Sequence, residues 1–130
     1  MNSEVFKPDG TKIEYDVGTT MSDGVRLSSD IYFPSKNQPG PYPTILYRTP
    51  YSNQMDYLVE RGKYFSQNGY VVVCQDVRGR HDSGGEFIRW KHEFNDGNET
   101  IEWIGSQEWC DGNVGMAGPS YLGYVQWQAG

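Results

Sequence analysis

Val71-Val72-Val73-Cys74-Gln75 is the stretch that most narrows what this chain can become. A continuous apolar run has no polar face, and this one is too short for a helix, so it reads as a strand covered on both sides. Strands of that kind belong to sheets with helices on both faces, and the flanking sequence supplies such helices. Upstream, Tyr57, Leu58, Tyr64 and Phe65 recur at heptad spacing and line one face of a helix running to Gln67, with Asn68-Gly69 as its stop. Downstream, Asp96 with Glu99 three residues on resembles a capping box, and Ile101, Ile104 and Glu108 follow with helical spacing from Gly97. Trp103 is expected on a flank of that helix, and Cys110-Asp111-Gly112-Asn113 ends it.

The remaining segments fit the same plan. Lys12 to Thr20 alternates loosely after the turn dipeptide Asp9-Gly10 and reads as a first strand. After Ser22-Asp23-Gly24, the residues Val25, Leu27, Ile31 and Phe33 alternate against Arg26, Ser28, Asp30 and Tyr32, the pattern of a half-exposed antiparallel strand stopped by Pro34. Ser35 to Pro43 is a loop, Thr44 to Arg48 a short buried strand, and Thr49-Pro50-Tyr51-Ser52-Asn53 its end, because proline cannot continue a central ladder. Asp76 to Phe87, with Gly79, Gly84 and Gly85, is a long loop, and Val114 to Ala117 is a final strand. Two antiparallel strands followed by strand, helix, strand, helix, strand and helix describe an α/β fold, a mostly parallel sheet with an N-terminal antiparallel hairpin and right-handed crossovers.

Composition bounds the partners. A net charge of -6 and the absence of a basic run disfavour nucleic acid and anionic membranes; a small neutral or cationic ligand stays open. No apolar run reaches membrane-spanning length, and Met1-Asn2-Ser3-Glu4 lacks the layout of a signal peptide, which makes the cytoplasm the default location. Cys74 and Cys110 form no disulfide framework and read as reduced packing residues; His81 and His92 show no ligand spacing, so neither a metal nor a cofactor is expected. The tyrosines and Trp90, Trp103, Trp109 and Trp127 fit a core better than a base-stacking platform, given the acidity.

The chemistry sits in Gly115-Met116-Ala117-Gly118-Pro119-Ser120-Tyr121-Leu122-Gly123. A serine on a tight strand-to-helix corner projects its hydroxyl above a sheet, the geometry of a nucleophile elbow. Gly118 fits the G-x-S-x-G pattern, whereas Leu122 takes the downstream position and the glycine comes one residue later, at Gly123. Ligands of such sheets bind outside the carboxyl ends of the parallel strands, and Tyr51 and Ser120 both fall there. An ordinary capping serine and a plain aromatic plug are the structural alternatives for Ser120 and Tyr51. Asp76, Arg78, Ser83 and Glu86 could form an acid–base cluster, yet a glycine-rich loop needs polar side chains to satisfy its own backbone, and that role is expected of them.

Taken in order, Asp23-Gly24-Val25-Arg26-Leu27, Arg48-Thr49-Pro50-Tyr51, Gln75-Asp76-Val77-Arg78-Gly79, Ser83-Gly84-Gly85-Glu86-Phe87, Trp109-Cys110-Asp111-Gly112-Asn113-Val114-Gly115 and Gly118-Pro119-Ser120-Tyr121-Leu122-Gly123 resemble the X-Pro dipeptidyl-peptidase and cocaine-esterase-like group of α/β-hydrolases. Tyr121 and the displaced Gly123 are that group's own form of the elbow. The resemblance implies a serine acyl hydrolase for small-molecule ester or peptide substrates, with Ser120 as nucleophile and the Tyr51 hydroxyl and Tyr121 backbone N–H as oxyanion donors. The triad order Ser, Asp, His is not completed after Ser120, because the seven residues beyond Gly123 include neither Asp nor His. His81 and His92 precede Ser120, in the loop before the second helix, which argues against either as its base. At 130 residues the chain is one domain at most and short for a complete α/β enzyme, which commonly needs ~200. The expectation is the N-terminal portion of a catalytic domain, residues 1–130, ending after the elbow and inactive alone. It would rely on a C-terminal partner chain or associate with itself through the open sheet edge. The alternative is a non-catalytic remnant or binding fragment.

Overall fold

In the computed structural model of the chain, residues 3–49, 56–79, 83–85 and 93–116 are described. They form strands β1 (Ser3–Phe6), β2 (Lys12–Thr20), β3 (Arg26–Phe33), β4 (Tyr42–Thr49), β5 (Val71–Asp76) and β6 (Cys110–Met116), with helix α1 (Asp56–Gln67) between β4 and β5 and α2 (Glu93–Gly105) before β6. The strands make one sheet in the order β1-β2-β3-β5-β4-β6. β1, β2, β3 and β5 pair antiparallel in succession, and β4 pairs parallel with β5 on one side and β6 on the other. The α/β class is as expected; the antiparallel part is larger by one strand, β1.

The Val71–Asp76 run is buried along its whole length, as a strand between two helical layers must be. Side chains alternate between the layers. Val72, Cys74, Tyr32, Tyr47 and Ile13 face Leu58 of α1, with Tyr57 and Phe65 packed alongside. Val71, Val73, Ile31, Phe33 and Leu46 face Ile104 of α2, joined by Ile101, Trp103 and Trp109. Helix α1 lies close to the sheet at Gly62, where a β-carbon would stand 2.6 Å from the Tyr32 ring. β2 serves both layers. Its register slips by one residue between Glu14 and Val17, around Asp16 with φ of 54°, so Ile13 and Tyr15 meet the α1 layer and Val17 the α2 layer.

Several expectations need correction. β3 is not half-exposed: Leu27 to Phe33 are all buried, because β2 and β5 flank it and both faces are covered. Tyr64 points outward at 59% exposure, and the buried face of α1 is Leu58, Gly62 and Ser66. α2 begins before Asp96, which therefore sits inside the helix and is no cap, and it ends at Gly105, which leaves Glu108 outside. The acids of the apparent capping box hold other elements: Asp96 takes the Arg78 guanidinium, and Glu99 accepts the Ser22 N–H at 2.6 Å. Cys110-Asp111-Gly112-Asn113, read as a helix stop, is the first half of β6. Cys74 and Cys110 are free and buried, in keeping with packing residues.

Candidate active site

The sheet order sets where a ligand can enter. From β4 the chain passes through α1 to β5 on one side, and from β5 it returns through α2 to β6 on the other. The direction of winding thus reverses at β4, and in open α/β sheets the crevice at such a reversal, outside the carboxyl ends, is the usual ligand position. β4 and β6 run parallel, with Ile45 opposite Gly115 and Leu46 opposite Met116, so both strands leave the sheet at one edge. Tyr51 follows two residues after Thr49, and Ser120 four after Met116. Tyr51, Ser120 and Tyr121 lie outside the described residues, as do Glu86, His81 and His92.

The described residues supply the floor beneath that edge, and it is polar. Ser28, Ser29, Arg48, Thr49, Gln75 and Asp76 are all 0% exposed. Arg48 Nε donates to Gln75 Oε1 at 2.7 Å, Gln75 Nε2 donates to Thr100 Oγ1 at 3.1 Å, and Thr100 Oγ1 donates to the Asp96 carbonyl at 2.7 Å. The Asp96 carboxylate receives Arg78 in bidentate fashion, from Nε at 2.9 Å and Nη2 at 2.8 Å, and Arg78 Nη1 reaches Asp23 Oδ2 at 2.8 Å. The ladder between β4 and β5 extends one step further, with Val77 N–H donating to the Thr49 carbonyl at 3.0 Å.

The loop after β5 satisfies its backbone as expected of a glycine-rich segment. Ser83 Oγ donates to the Asp76 carbonyl at 2.6 Å and accepts the Ser28 N–H at 2.8 Å, while Gly84 N–H donates to the Arg26 carbonyl at 2.7 Å. Gly85 has φ of 81°, which favours glycine, and a β-carbon there would stand 3.0 Å from Arg78 Cγ, so the turn packs closely on the stem of the Arg78 side chain.

The electrostatics of this floor are those of a fixed frame. Hydrogen bonds to Asp96, and secondarily to Asp23, raise the Arg78 pKa further above the ordinary arginine value against the opposing cost of burial, so it stays a cation. The hydrogen bond from Arg78, followed by that from Val25 N–H, holds the Asp23 carboxyl below its ordinary value. Burial raises the Cys74 thiol and the Tyr32 and Tyr47 phenols, which keeps all three protonated. A charge that is permanently paired positions its neighbours and does not trade protons.

Sequence reading missed the Arg48–Gln75–Thr100 line and the Arg78–Asp96 pair. The available signal was an arginine at the end of a short buried strand and a second arginine two residues past the end of β5. Two clefts of about 300 and 330 Å³, one floored by Ile13 and Tyr32, the other by Phe33 and Tyr42, lie at the amino ends of the parallel strands, away from this edge. Among the described residues no group of His, Cys, Asp and Glu could hold a metal, and no helix is long and apolar enough to cross a membrane.

The profile of the X-Pro dipeptidyl-peptidase (S15 family) matches residues 23–130. The chain belongs to this family. It is 46% identical to cocaine esterase of Rhodococcus sp. (strain MB1 Bresler), an alignment covering 84% of this chain and 19% of that protein. Among solved structures, a CocE/NonD family hydrolase from Staphylococcus aureus superposes with a TM-score of 0.78 at 31% identity, over 91% of this chain and 24% of that one. An alpha-amino acid ester hydrolase gives 0.77 at 27% identity, over 96% and 24%. The mixed sheet is thus the part of the S15-family α/β-hydrolase fold that a chain of this span can hold, about a fifth of the curated relative's length.

Proposed function

We propose that residues 1–130 are the N-terminal portion of the catalytic domain of a serine hydrolase that cleaves ester or amide bonds of small acyl substrates. Ser120 attacks the carbonyl carbon. The oxyanion that forms is held by the Tyr51 hydroxyl and the Tyr121 backbone N–H. A phenol suits that task because it donates a hydrogen bond without bringing a charge, and loss of one such donor costs roughly 10²–10³ in rate. The observation that carries the reading is the parallel pairing of β4 and β6, after which the segments containing Tyr51 and Ser120 begin at the same edge of the sheet, within a stretch matched by the family profile.

Serine needs a base, and a base needs an orienting group. Residues 121–130 contain neither Asp nor His. The proposal therefore draws both from outside this stretch, either from further chain or from a partner chain. The test uses a fluorophosphonate probe and a p-nitrophenyl ester with the protein expressed as its whole reading frame. The label is expected on Ser120, and Ser120→Ala should lower turnover by about 10⁶-fold, the scale seen when a triad serine is removed. Labelling at another residue, or turnover that survives Ser120→Ala, overturns the proposal.

A further inference from the structure

On the α2 side of the sheet, successive cross-strand rows change character. Ile31, Val73 and Leu46 form an apolar row, and the next row toward the carboxyl ends is Ser29, Gln75 and Arg48, all fully buried. An apolar row would have continued the core. Burying a guanidinium is costly before its partners compensate, and replacing buried ionic groups by well-packed hydrophobic ones is often neutral or stabilising, so stability alone gives no reason for arginine at this position. A satisfied polar network does something an apolar row does not: it fixes one arrangement of the elements it joins.

Here it joins three elements at one point. Arg48 Nε is tied to Gln75 of β5 at 2.7 Å, Gln75 to Thr100 of α2 at 3.1 Å, and the Thr49 carbonyl to Val77 N–H at 3.0 Å. The following residue, Pro50, has no N–H to donate to a ladder. We infer that Arg48, acting through Gln75 and Thr100, is a positioning residue that sets the departure of the chain after β4 and thereby the placement of the Tyr51 hydroxyl. The inference rests on the oxyanion role proposed above for Tyr51.

The test is a double-mutant cycle on ester hydrolysis by the whole protein, with Thr100→Val and Tyr51→Phe alone and together. Thr100→Val keeps the side-chain shape and removes only the hydroxyl that receives Gln75. It is expected to lower kcat roughly tenfold with KM within about twofold, on the scale by which small misplacements of reacting groups slow enzymes. Thr100→Ser should restore kcat. In the Tyr51→Phe background Thr100→Val should cost nothing further, because there is no hydroxyl left to misplace. Arg48→Lys should behave as Thr100→Val does, and if it does not fold, the threonine cycle decides alone. An equal loss in both backgrounds, or a lowered melting temperature with unchanged kcat, overturns the positioning role while leaving the proposed function intact. No turnover by the wild type, or an unchanged kcat for Tyr51→Phe, overturns the proposed function first and this inference with it, before any Thr100 variant is made.

Discussion

The two ends of the central strands are made of opposite materials. At their amino ends Val71, Val72 and Leu46 pack against Ile31, Tyr32 and Phe33 in ordinary apolar contact, and at their carboxyl ends Arg48, Thr49, Gln75 and Asp76 are buried just as completely. Burial is equal, yet its consequences are not. Apolar contacts are non-directional and tolerate small changes of shape, whereas a buried donor or charge left without its partner loses its full compensation. The difference teaches that one end holds the sheet together and the other holds it in one geometry, and the second is the end toward the candidate site.

The largest effect that sharpens this contrast is expected from Asp96→Ala. It leaves the Arg78 side chain, 8% exposed, with only the exposed Asp23 as a carboxylate partner among those described, and should destabilise the protein by about 3–5 kcal/mol in denaturant unfolding. Replacing both partners, as Arg78→Met with Asp96→Leu, should recover most of that loss. If the double variant is no better than the single one, the pair contributes attraction rather than an avoided penalty, and the contrast drawn here breaks. A comparable edit at the apolar end, Ile31→Val, should cost only about 0.5–1.5 kcal/mol by the same measurement.

The smallest effect is a dependence on acid. Asp16, held down chiefly by the Ser28 hydroxyl and then by Arg26, and Asp23, held down chiefly by Arg78, both ionise below the ordinary aspartate value of 3.8 when folded. A carboxyl with a depressed folded pKa stabilises the fold above its unfolded value, and that contribution is lost as pH falls through the folded one. Both groups are well exposed, so solvent screens the gain. Melting temperatures followed downward from pH 5 should drop for the wild type and drop less for Asp23→Asn. Identical acid profiles would show that the Arg78 to Asp23 contact adds nothing.

What could be read in the sequence follows the same division. β2 and β3 carry their signature because a strand facing a core repeats its apolar residues at fixed intervals, and β5 carries its own because a strand covered on both faces is a short unbroken apolar run. β1 has no such signature: Ser3, Glu4, Val5 and Phe6 are all exposed, and only backbone pairing with β2 makes them a strand. β6 hides for a related reason. Asp111, Gly112 and Asn113 are turn-forming types, but β4 supplies a partner ladder and an irregular register between Tyr42 and Thr44 accommodates them. The start of α2 was misjudged because Asp96 and Glu99 match a capping box in spacing while their partners, Arg78 and Ser22, are distant in sequence. Tertiary pairing overrode a local signal there. The segments around Tyr51 and Ser120 stand out in the sequence as spaced motifs, and both lie outside the described residues. The polar floor does not stand out, because its logic is a set of contacts between strands.

The slip at Asp16 has a consequence for how the chain could be altered. Because one additional residue stands there, the odd-numbered side chains of β2 serve one layer before it and the opposite layer after it. Deleting that residue would leave the sidedness intact: Ile13 would stay opposite Tyr32, Glu14 opposite Ile31 and Val17 opposite Ser29, now in one unbroken alternation. What would go is the carboxylate that accepts from Arg26 Nη1 at 3.0 Å and from the Ser28 hydroxyl at 2.7 Å. A single codon lost at this point is therefore a loss of contacts and not a change of face.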